Sequence, residues 1–161
     1  MSKSAPYQAI LIADGGNAAS AAVPVLRKNG MGGARVLGTE LWNSESAIAS
    51  KAALEGAWFA SVSDGLYRQY AARYRARFGA APFRLSSLGY DSVLLTIRIM
   101  RDWPMGAAFP EDRLKDRGGF AGIDGAFRFG RDNVAERALE VQEVRGGTTV
   151  TISPAPSGFE R

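Results

Sequence analysis

The sequence predicts an α/β fold, in which helices flank a parallel sheet of βαβ units and a β-hairpin follows near the carboxyl terminus. Short apolar runs alternate with helical segments in the first part of the chain, the order typical of βαβ units with right-handed crossovers. Two strand-like runs near the end are separated by Gly146-Gly147, which favours a hairpin turn. With 161 residues, 46% of them hydrophobic, the chain has the size and composition of a compact globular domain.

Three apolar runs predict the strands of the parallel sheet. Residues 7–13 (YQAILIA) are almost entirely apolar, which is typical of a strand buried on both faces. Residues 35–38 and 57–62 predict the second and third strands, with a short helix between them. The helix joining the first two strands is expected to have Asn17 as its N-cap and to stop at Asn29-Gly30, because Asn favours the cap and Gly the left-handed stop.

Two further helices are predicted in the middle of the chain. Residues 66–78 place aromatic side chains on one stripe and arginines largely off it, and Ser86 or Ser87 begins a second helix that ends at Trp103. The aromatic stripe is expected to be core or lobe interface rather than a stacking platform. Its members are Tyr67, Tyr70, Tyr74 and Phe78, and the arginines are Arg68, Arg73, Arg75 and Arg77.

The last third of the chain changes character. Residues 105–119 predict a loop with one turn at 111–115, and three strands are expected at 126–129, 139–145 and 148–152.

Composition excludes several classes of function. Without His or Cys, the chain has no Ser-His-Asp triad, no His- or Cys-ligated metal, no cysteine nucleophile and no disulfide. The remaining acids lie among basic residues, as on solvated surfaces, and no GxSxG or P-loop motif is present. We therefore expect no catalysis, no metal and no cofactor. The net charge of +4 comes from basic residues spread along the chain, so a nucleic-acid partner is not expected either.

One candidate site follows the first predicted strand. Asp14, Gly15, Gly16 and Asn17 lie where the strand ends and the helix begins, and ligands of open α/β sheets bind at such places. Two interpretations stay open for this segment: a plain turn with a helix cap, or a ligand loop. A nucleotide- or phosphate-binding regulatory or enzyme domain that uses the Asp14–Asn17 turn is the alternative function.

A second candidate site follows the second strand, at the same edge of the predicted sheet. Glu40 and Trp42 combine a carboxylate with an indole, and such a pair can receive an ammonium group by ion pairing and cation–π contact. The other interpretation is an exposed acid beside a Trp that covers the sheet edge.

The order of these segments resembles the type I periplasmic binding proteins, two-lobed receptors typified by the branched-chain amino-acid binding proteins. The family's order is followed by AILIADGGN, VLGTELWN, LEGAWFAS and YRQYAARYRARFGAAPFRLSSLGYDSVLL. The family's terminal segment is similar to GGFAGIDGAFRFGRDNVAERALEVQEVRGG. The resemblance covers residues 7–156, and the nearest branch is that of the penicillin-binding protein activators, lipoproteins of the cell envelope.

The resemblance implies a domain organisation. Residues 7–156 would form a single α/β lobe from the carboxy-terminal part of a two-lobed protein, between a foreign tail at 1–6 and a tail at 157–161. The three strands would build the second lobe, the helices at 66–78 and 88–103 would cross back to support the first lobe, and the final strands would return. Alone, those helices would lose part of their packing, so repacking or self-association is expected.

The resemblance also implies a function without catalysis. Glu40 matches the acidic residue that contacts the ligand's ammonium group in amino-acid binders, and Asp14 to Asn17 match a loop that lines the cleft. The partner would be a small ligand such as an amino acid or, in the activator branch, a cell-wall synthase docked near Arg68, Arg75 and residues 112–117. The location would be the periplasm, with a lipoprotein anchor on the full-length protein.

Overall fold

The computed structural model describes residues 7–44, 47–130, 132 and 134–159. The expected tail at 1–6 and the last two residues of the tail at 157–161 lie outside this part of the chain. Contacts divide the chain into two compact units: unit 1 holds the residues up to Val62 and Glu140–Pro154, and unit 2 holds Ser63–Leu139 and the end of the chain.

The regular elements follow the predicted order. In chain order they are β1 (Ala9–Ile12), α1 (Gly16–Leu26), β2 (Arg35–Gly38), β3 (Trp58–Ser61), α2 (Asp64–Phe78), α3 (Ser86–Met100), β4 (Phe120–Gly122), β5 (Gly125–Phe129), β6 (Ala135–Arg137), β7 (Glu140–Arg145) and β8 (Thr148–Ser153). Short 3-10 turns lie between β2 and β3, and another spans Glu111–Lys115 as predicted.

Unit 1 is built on a five-stranded sheet with the strand order β1-β2-β3-β7-β8. The strands β1, β2 and β3 are parallel, and β7 and β8 add an antiparallel pair. The β7–β8 hairpin turns at Gly146 and Gly147, whose φ angles of 58° and 78° lie in the left-handed region that glycine adopts without strain. The α/β fold class with a carboxy-terminal hairpin is thus confirmed.

Two local expectations in unit 1 are wrong. The strand β1 is not buried on both faces: Leu11 is 62% exposed, and exposed residues alternate along the strand with partly buried ones, so one face of β1 lies open within the described residues. Asn17 is not the N-cap of α1; Gly15 occupies that position with extended backbone, and no side chain caps the helix. The predicted stop is confirmed: α1 ends at Leu26, a wider helical turn follows over Arg27–Met31, and inside that turn Gly30 has a φ of 92°.

The core of unit 1 lies between α1 and the sheet. Trp42, Phe59 and Leu54 are its largest fully buried side chains. The indole of Trp42 packs over Gly38, where an added Cβ would overlap the ring, and its centroid lies 5.8 Å from that of Phe59. Gly38 therefore makes room for the largest side chain of the core.

Unit 2 contains α2, α3 and a small antiparallel sheet with the order β4-β5-β6. Only β5 was predicted from the sequence; β4 and β6 are three residues long and carry too short a pattern to detect. No residue of α2 is buried, so the aromatic stripe is not core within the described chain. Tyr67, Tyr70 and Tyr74 are half-buried, and Phe78 is 64% exposed.

A buried polar cluster joins α3 to the β4–β5 turn in unit 2. The Ser87 hydroxyl donates to the Asp124 carboxylate over 2.6 Å, and the Ile123 N–H donates to Asp91 Oδ1 over 2.7 Å. Arg84 pairs with Asp124 at 2.7 Å, and Arg137 Nη1 lies 3.9 Å from Asp91 Oδ2. Burial raises the pKa of Asp91 above its ordinary value, because desolvation disfavours the charged carboxylate.

Within the described ranges, no helix has both the length and the apolar composition needed to cross a membrane. The same residues contain no group of three or more acidic side chains arranged to hold a metal ion.

Candidate ligand-binding edge

The two candidate segments lie side by side at the carboxyl edge of the sheet in unit 1. Ile12 at the end of β1 is directly opposite Gly38 at the end of β2, and the strands are parallel. Asp14 and Glu40 therefore follow neighbouring strand ends, the place where ligands enter open α/β sheets. Both side chains are exposed. The edge accordingly presents two carboxylates to solvent from adjacent loops.

Trp42 ties the two loops together. Its indole N–H donates a hydrogen bond to the Asp14 carbonyl over 2.8 Å, and its own N–H bonds to the carbonyl of Thr39. The side chain is fully buried, so its ring packs in the core instead of facing solvent. Trp42 therefore fixes the backbone that carries Asp14 relative to the loop that carries Glu40.

The glycines of the first loop shape the start of α1. Gly15 donates its N–H to the carboxylate of Asp14 over 2.6 Å, and its carbonyl accepts the N–H of Ala19. Gly16 is buried and Asn17 is exposed in the first helical turn. No acidic side chain lies in that turn. Within this segment, the only carboxylate beside the positive end of the helix dipole is therefore that of Asp14.

Two residues that the sequence analysis did not select also lie at this edge. The ammonium group of Lys51 donates to the side-chain oxygen of Asn17 over 2.5 Å. The hydroxyl oxygen of Thr39 is buried and, among the described residues, has no hydrogen-bond partner. Thr39 could have been found from its position directly after β2. Lys51 gives no local signal, because it is 34 residues away from the side chain that it contacts.

A polar cavity of about 350 Å³ lies at the opposite edge of the same sheet. Gln8, Arg35 and Ala57, which lie at the amino ends of β1, β2 and β3, contribute to its lining. It is therefore separate from the candidate edge and supplies an internal reference for binding experiments.

No protein-family model matches the sequence, and no curated protein matches it either. Several solved structures do match this chain. A branched-chain amino acid ABC transporter protein from Rhodospirillum rubrum matches 90% of this chain at 25% identity, with a TM-score of 0.68. The chain has the fold of the type I periplasmic binding proteins. It spans 44% of the length of the Rhodospirillum rubrum protein.

Other proteins of this fold belong to both branches that the sequence resembles. LivJ from Streptococcus pneumoniae, a branched-chain amino acid transporter substrate binding protein solved with isoleucine, matches 92% of this chain and 45% of its own at 21% identity and a TM-score of 0.55. The C-domain of LpoA from Haemophilus influenzae, described as a regulator of PBP1A, matches 90% of this chain and 44% of its own at 14% identity and a TM-score of 0.61. The resemblance found in the sequence is thus confirmed, and the nucleotide-binding alternative is not favoured.

Proposed function

We propose that unit 1 is a ligand-contacting part of a non-catalytic receptor of the periplasmic type, and that its ligand is an amino acid. The observation that supports this most is the pair of exposed carboxylates, Asp14 and Glu40, on loops that Trp42 holds together at the carboxyl edge of the sheet. An ammonium group placed between these loops would gain charge-assisted hydrogen bonds.

The polarity of the edge suits one end of an amino acid. Glu40 would receive the ammonium group, as its match to the family implies, and the loop from Asp14 to Asn17 would line the cleft beside it. The α-carboxylate of the amino acid would be bound by a second lobe, which would close over the ligand by a hinge motion. Closure would be stabilised by contacts that only the closed form makes. The receptor would act in the periplasm and carry a lipoprotein anchor in its full-length form.

The function is tested by following backbone amide chemical shifts of the chain while L-isoleucine is added. A half-site without its second lobe binds weakly, so concentrations up to tens of millimolar are needed. We expect shifts at Gly15, Gly16 and Glu40, and none with the corresponding α-keto acid, which lacks the ammonium group. The absence of shifts with L-isoleucine, or shifts confined to the polar cavity around Gln8 and Arg35, would contradict the proposal.

A second candidate function is activation of a cell-wall synthase. It is favoured by the similarity to LpoA and by the arginines of α2: none of Arg68, Arg73, Arg75 or Arg77 has a carboxylate partner among the described residues, whereas Arg84 and Arg128 are both paired. Unpaired cations on one helix suit an acidic surface on a protein partner.

Charge reversal on α2 tests the activator function. In the polypeptide encoded by the complete gene, Arg68→Glu combined with Arg75→Glu is expected to weaken capture of the host's cell-wall synthase by at least about tenfold, because rim charges steer association. Arg101→Glu, an exposed change at the end of α3, serves as the control. Unchanged capture by the double variant, measured by surface plasmon resonance, removes α2 from the interface.

A further inference from the structure

Lys51 places a positive charge at the candidate edge of unit 1, beside the loop that begins with Asp14. Its ammonium group lies 2.5 Å from the side-chain oxygen of Asn17, in the first turn of α1. No carboxylate of the described residues forms an ion pair with Lys51, whereas Arg84 and Arg128 are both paired. Because Asn17 is neutral, the charge of Lys51 is not compensated within the described part of the chain.

The backbone of Lys51 is held in place by the core of unit 1. Lys51 connects two 3-10 turns, Ile48–Ser50 and Ala52–Leu54. Its N–H donates to the Ile48 carbonyl over 3.2 Å, and its carbonyl accepts the Leu54 N–H over 2.8 Å. Ile48 and Leu54 both belong to the buried core cluster. The backbone from which the half-buried lysine reaches Asn17 is therefore fixed.

The contact with Lys51 also sets the orientation of the Asn17 amide. Because an ammonium group only donates hydrogen bonds, the Asn17 atom that faces it is the carbonyl oxygen. The amide nitrogen, with its two N–H donors, then lies on the other side of the amide group. Asn17 is exposed, so these donors are open to a ligand. The edge thus combines two kinds of donor, the Lys51 ammonium group and the Asn17 amide.

Two adjacent donors of this kind complement a carboxylate. Hydrogen bonds from an ammonium group to a carboxylate are charge-assisted and stronger than those between neutral groups. The acidic part of the edge is close by, because Asp14 and Asn17 are three residues apart and at most about 10 Å of chain separates them. A small ligand with an ammonium group and a separate carboxylate can therefore contact both parts.

We propose that the ligand is an amino acid with an acidic side chain, whose side-chain carboxylate binds Lys51 and the Asn17 amide while its ammonium group binds Glu40. This inference rests on the proposed function and names the class of amino acid. Closure of a second lobe would exclude water from the edge, and an ammonium group that loses water without gaining an anion is costly. An acidic side chain removes that cost because it supplies the counter-ion of Lys51.

A branched-chain amino acid is the competing ligand. Leu41 is 54% exposed beside Glu40, so an apolar side chain has a surface on which to pack. Apolar contacts discriminate weakly, by about 10–200-fold for a methylene group, whereas a closed site rejects a ligand that leaves its polar groups unpaired by roughly 10⁴–10⁵-fold. The uncompensated charge of Lys51 therefore favours the acidic ligand.

Two ligands of the same shape test the proposal. L-glutamate and L-glutamine differ in the charge of the side chain, so the ratio of their dissociation constants, measured from amide shifts, isolates the side-chain carboxylate. The ratio is measured for the unchanged chain, for Lys51→Gln and for Lys51→Arg, which keeps the charge. Lys28→Gln is the matched control, because it removes the same charge from an exposed lysine beyond the other end of α1. L-isoleucine is titrated in parallel.

We expect L-glutamate to bind at least about threefold more tightly than L-glutamine to the unchanged chain, because even exposed ion pairs contribute a measurable amount. The preference is expected to persist in Lys51→Arg and Lys28→Gln and to disappear in Lys51→Gln.

Four results would overturn the proposal. Equal affinity of the unchanged chain for L-glutamate and L-glutamine, with L-isoleucine still bound, would do so and leave the proposed function in place. A preference that persists in Lys51→Gln, or that is lost equally in Lys28→Gln, would assign it to the net charge of the chain. Weakening of all three ligands by the same factor in Lys51→Gln would assign Lys51 to the α-carboxylate. Amide shifts with none of the three ligands would overturn the proposed function as well.

Discussion

Asp91 is the most buried acidic residue in the part of the chain that the structure describes. It is 3% exposed, accepts the Ile123 N–H, and faces Arg137 at 3.9 Å and the nearby Asp124. Burial dominates these influences and raises its pKa. The folded protein therefore holds the Asp91 proton more tightly than the unfolded chain does. Stability contributed by this group is fully present below the unfolded pKa of about 3.9 and is lost as the pH rises through the raised pKa.

The variant Asp91→Asn isolates this contribution. Asn keeps an oxygen that can accept the Ile123 N–H but has no charge to bury. The variant therefore does not lose the stability that the unchanged protein loses when Asp91 ionises. We expect the free energy of unfolding of the variant, minus that of the unchanged protein, to increase from about pH 4 upward until Asp91 is ionised. Urea unfolding at a series of pH values measures this difference. A difference that falls with pH would mean that the ion pair with Arg137 outweighs burial.

The orientation of the Trp42 ring could not be predicted from the neighbouring residues in the sequence. Its position beside Glu40 suggested a ring that faces a ligand, whereas the indole packs over Gly38 in the core and its N–H bonds to Asp14. Both contacts depend on residues distant in sequence. The residue type predicted importance for this edge, and only the tertiary structure assigns a positioning role.

Elements bounded by strong local signals were predicted closely. The strand Arg35–Gly38 has the expected bounds, and the hairpin turns at the two glycines that can adopt a positive φ. The strands β4 and β6 were missed because three residues give no measurable alternation. The exposure of one face of β1 was not predictable from its apolar composition, since it depends on which elements cover that face of the described sheet.

Helix α3 contains a glycine that can be replaced without a clash. Gly89 lies inside this helix, and an added Cβ would meet no atom within 4 Å. Gly89→Ala is therefore expected to stabilise the protein by about 0.5–1 kcal/mol, since Ala loses less backbone entropy in a helix. Gly38→Ala is the contrasting control, because there the methyl group would overlap Trp42.

Urea unfolding compares the two glycine variants directly. The midpoint for Gly89→Ala should rise and that for Gly38→Ala should fall, with similar slopes. A destabilised Gly89→Ala variant would indicate that a layer approaching α3 closely, such as a second copy, already occupies the space beside this glycine.

The two units of the whole molecule differ in how they bury their apolar side chains. Unit 1 contains the buried core cluster and presents the candidate edge, whereas the helices α2 and α3 of unit 2 expose many large apolar side chains. The fold was predictable from the sequence because the order of strands and helices survives even at 25% identity or less to proteins of known structure. The ligand and the partner could not be predicted in the same way. The ligand depends on a few side chains at the candidate edge, and the partner depends on the exposed surface of unit 2.

In the proposed receptor, Glu40 receives the ammonium group of an amino acid at the carboxyl edge of the unit 1 sheet. The measurement that checks this role is the dissociation constant of L-isoleucine, obtained from amide shifts for Glu40→Gln and for Glu55→Gln. The control residue Glu55 lines the polar cavity at the opposite edge and accepts the Gly146 N–H. We predict at least about tenfold weaker binding for Glu40→Gln, equivalent to about 1.4 kcal/mol, and no change for Glu55→Gln. Equal affinity of the two variants would contradict the claim.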